Sequence, residues 1–143
     1  MTLRERAIAF LARREHSRAE LARKLAPHGE ADEVVALLDA LEQENLLSNA
    51  RYADMLAHAR AGRHGSLRLK AELRDKGVPA PLIESALAEA RTSDLESARA
   101  VWAKKFGRPP ADAADRARQM RFLASRGFPA DVVRRVVGGN NED

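Results

Sequence analysis

The sequence predicts an all-α protein, an elongated array of three tandem three-helix repeats, each a helix-turn-helix-like unit. A recurring glycine frame is the first observation behind this. Gly77 has Leu73 four residues and Leu69 eight residues before it, and the apolar pair Leu82 and Ile83 five and six residues after it. Gly29 stands in the same frame, with Leu25 and Leu21 behind and Val34 and Val35 ahead. Gly127 repeats it with Leu123, Val132 and Val133, although Gln119 replaces the earlier leucine. The glycines are 48 and 50 residues apart, a period proper to repeated supersecondary units. The second observation is the leucine spacing, which lies on one helix face, before a glycine suited to a left-handed C-terminal cap. The third is that Pro79 and Pro129 follow the later glycines, where proline suits the first turn of a new helix. The repeats are expected over 2–45, 46–91 and 92–138, with a frayed tail over 139–143.

Each element has its own signal. Thr2-Leu3-Arg4-Glu5 reads as a capping box opening a helix with Ala7, Phe10 and Leu11 inward, ending near Glu15. Ser17-Arg18-Ala19-Glu20 reads as a second box, for a helix with Leu21 and Leu25 buried that Pro27 and Gly29 close. Val34, Val35, Leu38 and Leu41 define the third helix. Ser48-Asn49 opens the second repeat, whose first helix carries Tyr52, Met55, Leu56 and Ala59 on one face, and Gly65-Ser66 starts its companion. After Gly77, a helix from Pro79 is expected to end around Arg91, and Ser93-Asp94-Leu95-Glu96 reads as a third capping box starting the next helix. Trp102 and Tyr52 both lie 25 residues before their glycine, which reads them as equivalent core wedges. Gly107-Arg108-Pro109-Pro110 is a loop, Ala111 to Arg126 a helix with Phe122 and Leu123 inward, and Gly127-Phe128-Pro129 a turn into a last short helix.

Composition narrows the functional classes. The 143 residues include no cysteine, which excludes a disulfide framework and thiolate chemistry. No signal peptide or apolar run of about 20 residues is present, so a cytoplasmic protein without a membrane span is expected. The net charge of +4 is unevenly spread. Residues 1–29 hold seven Lys/Arg against three Asp/Glu, 30–50 none against six, 51–78 seven against three, 79–97 one against four, and 98–137 ten against three. Much of this is the solvated face any amphipathic helical protein needs; a basic stripe locked to the repeat also suits a polyanion or an acidic protein surface. Arginine supplies 20 of the 25 cations, which favours forked contacts to phosphate or carboxylate.

No catalytic, metal or cofactor constellation emerges. His16, His28, His58 and His64 are scattered among turns and charged faces without ligand spacing. The carboxylates form no buried pair at helical spacing, and no glycine-rich phosphate loop follows a strand. Helix-turn-helix pairs invite groove reading of DNA, but the helices after Gly29 and Gly77 are acidic and phosphate would repel them. Nonspecific phosphate contact by the basic helices stays open, whereas an aromatic content of 4% disfavours base-stacking platforms.

Several segments resemble the RecX family, modulators of the bacterial RecA recombinase. They are Ala7 through Leu25 (AIAFLARREHSRAELARKL), Gly65 through Gly77, Lys104-Lys105-Phe106, and Phe122 through Phe128, in family order over nearly the full length. The family commonly has paired aspartates ahead of Arg-Phe-Ala where this chain has Leu47-Ser48-Asn49-Ala50-Arg51-Tyr52-Ala53, so no role of those acids is carried over. The resemblance implies tandem three-helix repeats and a non-enzymatic protein, expected as a monomer, that lies in the groove of the RecA–DNA filament. There it would oppose filament growth and lower ATPase, strand-exchange and coprotease activity. The expected contacts to the RecA filament and its single-stranded or duplex DNA are Arg23, Lys24, Lys70, Arg74, Lys104, Lys105, Arg118 and Arg121. A direct, largely nonspecific nucleic-acid-binding protein is the main competing reading, and a helical adaptor for another partner the third.

Overall fold

The computed structural model describes residues 1–138, and the tail expected at 139–143 lies outside the described residues. The described chain is all-helical: α1 (Leu3–Arg13), α2 (Arg18–Leu25), a 3-10 turn (Ala26–His28), α3 (Ala31–Gln43), α4 (Asn49–Arg60), α5 (Ser66–Asp75), α6 (Ala80–Lys105), α7 (Ala113–Ser125) and α8 (Ala130–Val137). Two compact units result, one of Met1–Leu56 with Leu73–Glu84, the other of Ala57–Glu72 with residues 85–138.

In the first unit, Thr2 caps α1 as its spacing predicts, its side chain accepting from the Glu5 amide while Glu5 reaches back to the Thr2 amide. Ala7, Leu21, Leu25, Val34, Leu38, Leu41 and Leu47 form the core of this unit, joined at its edge by Leu3, Phe10, Leu11 and Leu37. Ser17 caps α2 by accepting from the Glu20 amide, but the box does not close. The Glu20 carboxylate turns instead to the Arg14 guanidinium. The Ser17 hydroxyl also donates to the Lys76 carbonyl at 2.6 Å, and the Arg18 amide donates to Asn49 Oδ1 at 2.8 Å. The first amide of α2 is thus met by the first residue of α4, and its capping serine is anchored to the residue that follows α5.

The second unit repeats this arrangement one repeat further on. The Gly65 and Leu67 amides donate to the Arg126 and Gly127 carbonyls at 2.8 and 3.0 Å. The Ser66 amide donates to Asp94 Oδ1 at 2.9 Å, and its hydroxyl donates to Asp94 Oδ2. The N-terminus of α5 therefore rests on the C-terminal turn of α7 and on an acid from α6. Opposed helix ends of this kind also bring opposite dipole poles together. A core of Ala98, Leu123, Phe128, Val133 and Val137 lies beneath, edged by Val101, Trp102, Met120 and Phe122.

The glycine frame explains how these turns are made. At Gly77 (φ +74) the Val78 amide reaches the Leu73 carbonyl at 3.1 Å, and at Gly127 (φ +89) the Phe128 amide reaches that of Leu123 at 3.3 Å. Each is a left-handed helix stop in which the leucine four residues before the glycine takes the closing bond. Leu25, Leu73 and Leu123 are all fully buried, at 0% exposure. Gly29 differs from expectation: it is extended (φ −163), because Pro27 tightens the end of α2 into a 3-10 turn before a left-handed stop can form.

Two further expectations are corrected. Ser93 opens no helix, since α6 runs unbroken from Ala80 to Lys105 and the break expected near Arg91 is absent. Asp94 is mid-helix and caps α5 instead of its own helix. Tyr52 and Trp102 are not at matching places: Tyr52 is buried in the first turn of α4, while Trp102 lies near the end of α6 and is half-exposed. Trp102 Nε1 donates to Oε1 of buried Gln119 at 2.8 Å, which accounts for a glutamine where the other repeats have leucine.

A Cβ added at Gly127 would lie 2.3 Å from Arg68 Cβ, at a φ that alanine adopts only with strain. Gly127→Ala is expected to cost roughly 2–5 kcal/mol. Gly29→Ala, whose Cβ would meet only the flexible ends of Leu3 at 3.0 Å and Glu33 at 3.5 Å, should cost less than about 1 kcal/mol. Urea unfolding of both variants checks this ordering.

Candidate partner-binding surface

In the second unit the C-terminal end of α6, the turn after α4 and the end of α7 enclose an open groove of about 490 Å³. Its lining is Gly62, Arg63, Ala100, Val101, Lys104, Lys105, Phe122 and Arg126. Helical spacing places these groups: Val101 and Lys105 are four apart on α6, and Phe122 precedes Arg126 by four. Gly62, left-handed at φ +78, turns the chain so that Arg63 joins them, its guanidinium donating to the Ala59 carbonyl at 2.7 Å. The lining holds four cations and no carboxylate.

Aromatic rings hold two of those cations, Lys105 and Arg126, and the neighbouring Arg118 in place. Phe106 and Phe122 meet edge to face with centroids 5.5 Å apart. Lys105 Nζ lies 5.3 Å and the Arg126 guanidinium 4.8 Å from the Phe122 centroid, and Arg118 lies 5.0 Å from that of Phe106. Such contacts contribute about 0.5–1 kcal/mol each at exposed sites and restrict where the charges point.

The residues expected from sequence divide accordingly. Lys104 and Lys105 line the groove, Arg118 adjoins it over Phe106 while pairing with Asp115 at 2.8 Å, and Arg121 is an exposed residue of α7 outside the lining. Lys70 and Arg74 are one turn apart on α5, the first half-buried and the second exposed. Arg23 is exposed, but its guanidinium donates to the Asp75 carbonyl at 3.0 Å and so caps the end of α5. Sequence reasoning missed Arg63, which reaches the groove from a turn, and Arg126 and Phe122, whose four-residue spacing was the one available signal.

Lys24 belongs to a different, partly buried cluster. Its Nζ lies 2.8 Å from His16 Nε2, 4.0 Å from Glu20 Oε2 and 5.0 Å from the Phe10 ring centroid. His16 is 1% exposed, with Nδ1 3.0 Å from the Arg14 carbonyl. A neutral ring with its proton on Nδ1 satisfies both contacts, donating to the carbonyl and accepting from the ammonium. Burial, and then the charges of Arg14 and Lys24, hold the imidazole below its ordinary range against the pull of the Arg14 carbonyl and Glu20. For Glu20, burial pushes the carboxyl up, but Arg14, with His16 and Lys76 nearby, more than offsets this and keeps it low. Burial raises Asp94 despite its two hydrogen bonds from Ser66. Both buried acids are therefore committed to partners within the fold. Among the described residues no helix is long and apolar enough to cross a membrane, and no cluster of three or more His, Cys, Asp or Glu is placed to hold a metal ion.

Comparison with known proteins decides the family. Residues 4–37, 48–87 and 92–137 match the RecX first, second and third three-helix domains respectively. The chain belongs to the RecX family. It is 54% identical over 138 residues to a protein of Leptothrix cholodnii named Regulatory protein RecX, covering 96% of this chain and 88% of that one. A Ralstonia nicotianae protein of the same name is 51% identical over 140 residues, covering 97% and 88%. A crystal structure of RecX from Lactobacillus salivarius shares the fold, with a TM-score of 0.77 at 17% identity over 95% of this chain and 92% of that one.

Because the His16 pKa is depressed in the fold, its neutral form stabilises the RecX-family chain above the ordinary histidine pKa of about 6.5. That contribution is lost as pH falls from there through the lower folded value. Urea midpoints at successive pH values between neutrality and the carboxylate range should fall for the wild type and fall less for His16→Gln. Equal slopes would show that His16 is not the group responsible.

Proposed function

We propose that this chain is a negative modulator of the RecA recombinase, binding in the groove of the RecA–DNA filament, blocking its extension and lowering ATPase, strand-exchange and coprotease activity. It acts as a cytoplasmic monomer and without catalysis of its own. The observation that carries this reading is the match of all three RecX three-helix domains across the chain, together with relatives over 50% identical that are named regulatory proteins.

The contacting residues in this proposal are Arg23, Lys24, Lys70, Arg74, Lys104, Lys105, Arg118 and Arg121, and DNA within the filament is met through phosphate. A groove whose lining has four cations and no carboxylate supports contact with an acidic partner surface. The acidic run 30–50 offers the opposite sign for basic patches, which suits selective pairing along a protein filament better than uniform basicity would.

Titrating purified chain, below stoichiometry, into RecA turning over ATP on single-stranded DNA tests the proposal. The ATPase rate is expected to fall, and binding to RecA-coated DNA should be markedly tighter than to bare DNA. The charge reversal Lys70→Glu with Arg74→Glu should weaken inhibition about tenfold, the loss of roughly 1.4 kcal/mol from two charged contacts. An unchanged ATPase rate contradicts the reading, equal affinity for bare and coated DNA favours direct nucleic-acid binding, and full inhibition by the double variant removes that pair from the surface.

A further inference from the structure

We infer that the groove of the second unit takes a short protein segment in which an apolar side chain is flanked by aspartates or glutamates. This rests on the reading of the groove as a contact surface and names the chemistry of its occupant. The groove has two zones. Its floor is Ala100, Val101 and Phe122, of which Val101 and Phe122 pack on the core of the unit and are thereby held in place. Its rim is Arg63, Lys104, Lys105 and Arg126, with no carboxylate among the lining residues.

A phosphodiester chain would satisfy the rim and leave the floor exposed to water. A nucleobase would fill the floor by stacking, but Phe122 is already engaged by Lys105 at 5.3 Å, by Arg126 at 4.8 Å and by the Phe106 ring at 5.5 Å. An apolar anchor between carboxylates meets both zones at once, burying its side chain on the floor and pairing its charges at the rim. Backbone can approach from one wall, since open space lies where a Cβ at Gly62 would be. The volume of about 490 Å³ lies within the roughly 300–1,000 Å³ of pockets that enclose small ligands, enough for one anchor and its neighbours.

Fluorescence anisotropy on the full chain, without RecA, tests this with three labelled probes: a short Asp/Glu peptide carrying a central Leu-Phe pair, the same peptide with Gly-Gly in its place, and an oligothymidylate of equal charge. The Leu-Phe peptide is expected to bind at least about tenfold more tightly than either other probe. The variant Lys104→Glu with Lys105→Glu, both exposed residues, should lose at least about tenfold in affinity while keeping its helical circular dichroism. No binding, equal binding of the two peptides, tighter binding of the oligonucleotide, or an unaffected variant would overturn the inference. Because RecA is absent from the assay, any of these leaves the modulator reading standing, and failure of the ATPase titration would leave a positive peptide result intact.

Discussion

The fold depends on helix ends meeting helix ends. The start of α2 is closed by the Lys76 carbonyl and Asn49, and the start of α5 by the Arg126 and Gly127 carbonyls and Asp94. In both places the first turn of a helix in one repeat takes its hydrogen bonds from the next repeat, and the glycine stop of the later helix lets the two backbones approach. Gly77 and Ala19, and Gly127 and Arg68, leave no room for a Cβ between them. In the third repeat Asp112 caps α7 locally by accepting from the Asp115 amide at 2.8 Å, while Asp115 accepts from the Ala111 amide at 2.9 Å.

Magnitudes separate the roles of seam and core. Each fully buried leucine contributes roughly 1.5–3 kcal/mol, so Leu25, Leu73 and Leu123 and their neighbours supply most of the driving force. A seam hydrogen bond adds only about 0.5–1.5 kcal/mol net, yet a buried donor left unpaired costs about 1–3 kcal/mol. The core therefore sets how strongly each unit holds together, and the seams penalise any register other than the one observed. The groove inherits that precision, because Phe122 and Arg126 lie on the helix whose end is fixed at the α5 seam.

What the sequence reveals and hides follows from the range of each interaction. Local patterns were legible: the Thr2 box, the leucine before each glycine, and the left-handed turns at Gly77 and Gly127. Ser93 misled because Ser-x-x-Glu is equally at home inside a helix, and what recruits Asp94 is Ser66, 28 residues away. Glu20 misled in the same way, its carboxylate drawn to Arg14 instead of closing a box. Gly29 shares the frame of its two counterparts, but the 3-10 turn at Pro27 leaves it extended. Of the groove, Lys104 and Lys105 were visible as a basic pair at a helix end. Arg63 was not, since a turn residue carries no periodicity, and Phe122 was read only as an inward residue although it also lines the groove.

The most direct measurement of the seam is amide hydrogen exchange at the start of α5. First-turn amides of a helix ordinarily lack partners and exchange freely. If the end of α7 and Asp94 close this helix, the Gly65, Ser66 and Leu67 amides will be protected to the level of the α5 interior. Exchange of those three amides as fast as that of an unpaired, exposed amide would contradict the account.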